Sequence, residues 1–276
     1  MSTAEFAVRF WGVRGSIPCP GEANAAYGGN TSCIEMRCGK HLLIFDAGTG
    51  IYELGLALEN AGPIDADIFL THTHYDHVWG WPHFTPLLDG RNRFRIHAGH
   101  LEDNERIERV MLGLIDDPLN PVNRKTLAAN ISFHAFQIGD TLSPRPGVTL
   151  RTAPLVHPNR AVGYRVECAG RAACYVTDTE HKKNALDRNI LGLIEGADLM
   201  IYDSTYTDDE YSRYAGWGHS TWQEGVRLCD AARVKTYVVF HHDPDHDDAF
   251  MDRVATEVEV MRPGSKVARE GMVLTP

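Results

Sequence analysis

Six short apolar runs in this chain each end in a side chain able to bind a metal ion or carry a proton. Residues 42–45 end at Asp46, and residues 150–156 end at His157. Residues 172–177 end at Asp178, 199–202 at Asp203 and 237–240 at His241. Residues 68–70 run into Thr71-His72-Thr73-His74-Tyr75-Asp76-His77. Apolar runs of this length, bounded by turn residues, read as buried strands. Strands that deliver such groups at their ends build a site along one edge, on rigid supports.

The rest of the chain fits that reading. Further strands are expected over 6–11, 32–36, 94–98, 131–138, 148–155 and 161–166, with 236–240 completing the last run. Helical spacing appears at 51–59, 104–114, 185–195, 222–232 and 249–261. Many short strands in both halves form two sheets more easily than one, and the helices then cover the outer faces. The expectation is an α/β protein with an αββα four-layer sandwich. No low-complexity linker divides the chain, so residues 1–276 read as one domain; the Pro- and Asn-rich stretch 116–123 is a loop.

A chain of 276 residues buries roughly three quarters of its unfolded surface without a metal staple, so a metal here is expected to be catalytic. Fourteen His supply the commonest ligand for borderline metals. In an extended or tightly looped segment His72 and His74 point to the same side and can grip one metal. Asp76 and His77 point elsewhere and can grip a second, about 3.5–4 Å away in two-metal hydrolases.

The segment His72-x-His74-x-Asp76-His77 resembles the metal-binding motif of the metallo-β-lactamase superfamily. The resemblance extends, in order, over nearly the whole chain. It implies that His72, His74 and His157 hold a first metal, that Asp76, His77 and His241 hold a second, and that Asp178 bridges them. His242 competes with His241 for the last place. Asp46, in Phe45-Asp46-Ala47-Gly48, resembles the family's early Asp-x-Gly strand end and reads either as a brace for the His-rich loop or as a plain turn residue. His246 stays unassigned. Two zinc ions are implied, with manganese or iron as alternatives; the full His/Asp set is unlike that of flavodiiron relatives, which carry a carboxylate in place of a His.

Gly218-His219-Ser220-Thr221 resembles a motif of the ribonuclease Z-like branch, where the His protonates the leaving alkoxide. Asp203 stands where that branch has a Glu, one methylene longer. The implied function is a dinuclear phosphodiesterase acting on a small anionic phosphodiester such as a cyclic nucleotide. Metal-bound hydroxide would be the nucleophile, His219 the general acid, Asp203 its orienting partner and Asp76 the third member of the catalytic set. Ser220 or Thr221 can also cap the helix expected from Trp222. The alternatives are an RNA 3′-processing endonuclease of the ribonuclease Z type and a thioester or lactone hydrolase, which needs no alcohol-protonating His.

A net charge of −10 and the lack of a basic Gly/Pro-rich arm make a large RNA substrate the weaker fit. Trp79, Trp81, Phe84 and Trp217 lie beside the motifs and can stack on a base or pack in the core. The segments 10–18 and 27–32 also resemble phosphodiesterases of this branch; their glycines serve as anion cradles or as tight turns, and Arg14 as a phosphate contact or an ion pair. Six Cys without a Cys-x-x-Cys pair, no apolar start and no run of ~20 apolar residues are the pattern of a cytoplasmic protein without a membrane anchor. Members of this branch are often homodimers; no interface is legible here.

Overall fold

The computed structural model describes residues 6–59, 61–121 and 124–276. Its strands are β1 (Phe6–Gly12), β2 (Cys33–Cys38), β3 (His41–Phe45), β4 (Asp65–Leu70), β5 (Arg93–Ala98), β6 (Asn130–Ala135), β7 (Thr141–Arg145), β8 (Val148–Leu155), β9 (Ala161–Cys168), β10 (Arg171–Val176), β11 (Leu199–Asp203), β12 (Thr236–Phe240), β13 (Lys266–Val267) and β14 (Val273–Leu274). The helices are α1 (Gly50–Leu58), α2 (Tyr75–Val78), α3 (Asn104–Gly113), α4 (Arg188–Ile194), α5 (Asp208–Tyr211), α6 (Trp222–Ala231) and α7 (Asp248–Met261).

Two seven-stranded sheets result, in the orders β14-β1-β2-β3-β4-β5-β6 and β13-β12-β11-β10-β9-β8-β7. Alternation along the strands builds the layers, because successive side chains face opposite sides of a sheet. Leu43 and Phe45 of β3 enter a core shared with Tyr164, Tyr175, Ile201 and Phe240 of the other sheet. Leu42 and Ile44 face the opposite way, into a core with Ile51, Leu54 and Leu58 of α1. In the second sheet Met200, Tyr202, Tyr237 and Val239 pack against Ile190 of α4, Val226 of α6 and Val254 of α7. The αββα four-layer sandwich read from the sequence is the observed architecture.

Several differences have local causes. The run 131–138 stops at Ala135, and the chain then starts a separate edge strand, β7, containing Pro144. Proline lacks the ladder donor and is tolerated on edges, which is why this strand is hard to read from sequence. Helix α4 begins at Arg188 rather than 185, because the Asp187 side chain accepts from the backbone N–H groups of Asn189 and Ile190. The two-residue strands β13 and β14 are too short to leave a pattern. Of the loop 116–123, residues 116–121 form turns tied back by Arg124 to Asp116; 122 and 123 lie outside the described residues.

One topological fact positions the site. Strands β3 to β6 are mutually parallel, as are β10 to β13. β8 runs the same way as β10, since both are antiparallel to β9. The C-terminal ends of β3, β4 and β5, and those of β8, β10, β11 and β12, therefore emerge together within each sheet.

Candidate metal centre

At those ends the structure gathers the residues singled out in the sequence. One group is His72, His74 and His157; another is Asp76, His77, Asp178 and His241; in each, the candidate ligand atoms lie within 4.8 Å of one another. Asp178 stands between them. Its Oδ2 is 3.7 Å from His72 Nε2 and 3.6 Å from His157 Nε2, while its Oδ1 is 3.1 Å from His77 Nε2 and 3.2 Å from His241 Nε2. Asp76 Oδ2 closes the second group at 3.2 Å from His77 Nε2 and 3.3 Å from His241 Nε2. His157 Nε2 and His74 Nδ1 are 3.0 Å apart, close to the roughly 3.4 Å between two ligands of a tetrahedral zinc with bonds of about 2.0–2.1 Å.

The outer ring nitrogens decide which atoms are left facing inward. His157 Nδ1 is 2.8 Å from the Gly218 carbonyl, and His77 Nδ1 is 2.8 Å from Asp46 Oδ2. Both partners only accept, so these nitrogens carry the protons. Thr71 Oγ1 donates to Asp46 and lies 3.0 Å from His72 Nδ1; Thr205 Oγ1 donates to Asp203 at 2.7 Å and lies 3.1 Å from His241 Nδ1. With each hydroxyl proton spent on a carboxylate, the His Nδ1–H donates to the hydroxyl oxygen. With neutral rings, all four Nε2 atoms would turn lone pairs toward carboxylate oxygens, a repulsive arrangement unless a cation, proton or metal ion, lies between. Consistently, the Nε2 atoms of His72, His77 and His241 are buried without a hydrogen-bond partner. The donor set fits a pair of divalent cations.

Electrostatics agree. Asp46, Asp76, Asp178 and Asp203 are all buried, and no Arg or Lys pairs with any of them among the described residues. Burial alone would lower the pKa of His77, but the charges of Asp178, Asp76 and Asp46 push it well above the usual range. At His72 burial, joined by the charge of His77, outweighs Asp178 and holds the pKa well below the usual range. A proton on His77 balances part of the negative charge in the bare cluster; a metal ion performs the same balancing and displaces it.

His219 lies at the rim, its Nδ1 3.1 Å from Asp203 Oδ2 and 3.9 Å from Asp178 Oδ2. The shorter Asp203 side chain reaches because the backbone pins it: Thr179 N–H donates to Oδ2 at 2.9 Å, and Thr205 N–H to Oδ1 at 3.2 Å. Burial works against protonation of His219, but the Asp203 charge and hydrogen bond, helped by Asp178 and Asp76, raise its pKa to about 9. The capping alternatives separate cleanly. Thr221 Oγ1 accepts from Glu224 N–H and caps α6, whereas Ser220 Oγ bonds to His181 and Tyr202.

Other candidates fall elsewhere. His242 points away, its Nε2 bonded to the Ala268 carbonyl at 2.9 Å. His246 pairs with Glu210 and stacks on Phe250. Asp46 is a hub, accepting from Thr71 N–H, the Thr71 hydroxyl, His77 Nδ1–H and the Tyr175 hydroxyl. Arg14 closes no ion pair among the described residues. It is fully buried and donates to the carbonyls of Gly28, Asp243 and His246 and to Asn24 Oδ1. Trp81 and Phe84 belong to the core beneath α1, so of the four aromatics only Trp79 and Trp217 are exposed.

Sequence reasoning missed the groups that press the ligands into place. A Cβ at Gly15 would sit 2.5 Å from the His241 ring, and one at Gly218, where φ is +87°, would sit 2.5 Å from His157 Nδ1. Ser16 N–H donates to Asp76 Oδ2 at 2.8 Å. Glu180 accepts from the N–H groups of Gly216 and Gly218, fixing the loop that carries His219. A Gly-His-Ser-Thr run and a Gly-rich N-terminal turn were the available signals, but neither specifies which ring the glycine touches.

Comparison with known proteins places the geometry in context. The family described as beta-lactamase superfamily domain matches residues 41–242. Ribonuclease Z of Haloferax volcanii is 24% identical over 277 residues, covering 84% of this chain and 83% of its own length. The short form of human tRNase Z superposes with a TM-score of 0.71 at 19% identity, covering 98% of this chain and 99% of that one. A diphosphatase from the PhnP family gives a TM-score of 0.71 at 19% identity, covering 98% and 97%. At such identities the structural likeness speaks for the fold alone.

Proposed function

The chain belongs to the beta-lactamase superfamily, a family of metal-dependent hydrolases, and from that premise we propose that it is a dinuclear phosphodiesterase acting on a small anionic phosphodiester such as a cyclic nucleotide. The proposed metal ligands are His72, His74 and His157 on one side, Asp76, His77 and His241 on the other, with Asp178 shared. Two divalent ions bound there, zinc by the preference of a His-rich set, would supply Lewis acidity toward the phosphoryl oxygens and a nucleophilic water at neutral pH.

The observation that carries the reading is the His219–Asp203 pair beside the clusters. Phosphodiester cleavage must protonate a leaving alkoxide, and a positioned His is the usual donor. Asp203 accepts from Nδ1–H, which leaves Nε2 to hold the proton for the leaving oxygen. The carboxylates that raise the pKa of His219 keep it protonated at neutral pH; cations in the clusters act in the opposite sense and bring it toward the working range. A thioester or lactone hydrolase would leave this pair without a task.

A ribonuclease is the second reading, favoured by the name of the H. volcanii relative. The net charge of −10 weighs against a long polyanion and for a small one. Exposed Trp79 and Trp217 offer faces on which a single base can stack.

The test is a panel of cyclic nucleotides, bis-p-nitrophenyl phosphate and a transfer-RNA precursor, assayed with protein of measured metal content. His219→Ala is expected to lower kcat about 10²–10⁴-fold with metal content unchanged. Loss of metal in that variant, or no turnover of any phosphodiester by the wild type, would overturn the proposal.

A further inference from the structure

A cavity of about 400 Å³ opens beside the first cluster, with His72 and His74 in its wall. Across from them stand Arg106 of α3 and Asn159 and Arg160 of the β8–β9 turn, with His100 and Glu102 at the end of β5. A ligand on the clusters therefore reaches this space without leaving the protein surface.

Three features of its lining point to an anion. First, the guanidinium groups of Arg106 and Arg160 have no ion pair or side-chain hydrogen bond among the described residues, whereas Arg95, Arg124, Arg145, Arg227 and Arg262 all pair with carboxylates. Glu102 is the one acid in the lining, so the cavity is cationic in a chain of net charge −10. Second, Asn159 and Arg160 occupy successive left-handed positions, at φ 64° and 71°, directly behind the proposed ligand His157. Asn tolerates that region, but Arg does so at a backbone cost that Gly would avoid, and such strain concentrates at binding sites. Third, His100 is buried with Nδ1 unpartnered and Nε2 3.1 Å from Thr73 Oγ1. Burial and the nearby charge of Arg160 hold its pKa down at about 4, so it offers a neutral polar edge.

We propose that this cavity is a subsite for a second phosphate of the substrate, held by Arg106 and Arg160. The proposal rests on the phosphodiesterase reading and narrows it: the substrate is a phosphodiester that carries a further phosphoryl group about one nucleoside away. The space falls within the ~300–1,000 Å³ of small-molecule sites, enough for a phosphate with part of its sugar. Planar guanidinium forks suit phosphate oxygens.

The experiment compares binding of adenosine 3′,5′-bisphosphate and adenosine 5′-monophosphate to the metal-loaded protein, beside turnover of bis-p-nitrophenyl phosphate. The bisphosphate is expected to bind at least about tenfold tighter, and Arg106→Ala and Arg160→Gly each to lose about that factor. Turnover of bis-p-nitrophenyl phosphate, which has no second phosphate, should stay close to that of the wild type in both variants. Arg160→Gly should keep or raise Tm, because glycine suits that backbone, so weakened binding there is not a folding defect. Equal affinity for the two nucleotides, or unchanged bisphosphate affinity in both variants, overturns the subsite even if the wild type is an active phosphodiesterase. A wild type that binds bisphosphate through these arginines but cleaves no phosphodiester sinks the activity and leaves the anion site standing.

Discussion

At the scale of single residues, protonation is the organising variable. His72, His77, His157 and His241 each have the outer nitrogen committed to an acceptor, and that commitment turns Nε2 inward. At His219 the Nδ1 proton goes to Asp203, and the ring stands outside the proposed ligand set. Its pH behaviour follows from the sign of the shift. His219 is raised from 6.5 to about 9 in the folded metal-free chain, so its pairing adds stability that is complete below about 6.5 and is lost as pH rises through 9. Asp203→Asn removes most of that linkage. Chemical denaturation of metal-free wild type and Asp203→Asn at pH 6 and pH 10 should show their stability difference moving against the wild type by up to about 3 kcal/mol as pH rises. A difference that stays flat across that range would mean His219 is not held protonated by Asp203. The identities of these residues were legible in the sequence because their chemistry is carried by residue type and spacing. The choice between His241 and His242 was not, since both follow β12 directly and only the backbone turn at His241, φ 64°, decides which ring swings into the cluster.

At the scale of elements, strand ends do the positioning. Asp46, Asp178 and His241 each follow a strand in the left-handed region, with φ of 60°, 58° and 64°, a conformation that Asp and His reach more readily than most residues but still at a cost. Local networks hold them there. Asp46 ties the end of β3 to the start of the loop after β4, to α2 through His77 and to β10 through Tyr175. Asp46→Ala would strand four buried donors, and a loss of roughly 2–4 kcal/mol in stability is expected, together with a 10–100-fold loss in metal affinity. Tyr175→Phe, which removes one donor, should cost only about 1 kcal/mol. Equilibrium unfolding and metal titration of both variants check the ranking; equal, small losses would reduce Asp46 to a plain turn residue. The strands themselves were readable because buried runs alternate between two cores, as Leu42 and Ile44 do against Leu43 and Phe45. What escaped was whatever lacks a period: β7 with its Pro144, the two-residue strands, and the glycines at 15 and 218, whose role is an absence of side chain against a particular ring. Trp81 and Phe84 misled for a related reason, because adjacency to a motif in sequence says nothing about which face of a short turn points to solvent.

At the scale of the whole molecule, the centre is a seam. The first sheet contributes His72, His74, Asp76 and His77 from beyond β4, and the second contributes His157, Asp178 and His241 from beyond β8, β10 and β12. Each proposed metal therefore takes ligands from both sheets. Beneath the seam the sheets are joined by an apolar core of Phe45, Phe69, Tyr164, Tyr175 and Phe240, which needs no metal, so the chain should remain folded when stripped. At the seam itself, four buried carboxylates gather with no Arg or Lys paired to them among the described residues, and removing the metals leaves that charge only partly balanced, by protons on His77 and His219. Metal removal should therefore loosen one edge rather than unfold the molecule. Binding at about a hundredfold excess over Kd adds about 2.7 kcal/mol, and for a chain of this size each kcal/mol moves Tm by roughly 2–4 °C. Chelation should then lower Tm by several degrees, and restoring about two zinc ions per chain should recover it. Amide exchange should rise on chelation at the C-terminal ends of β4, β10 and β12 and in the segments just beyond them, while the centres of the same strands, in the shared core, stay protected. Uniform loss of protection would mean that the metals hold up the entire fold. Unchanged exchange at the strand ends, with full metal occupancy beforehand, would mean that the seam is closed by its hydrogen bonds alone and that the ions serve chemistry without fastening the two sheets.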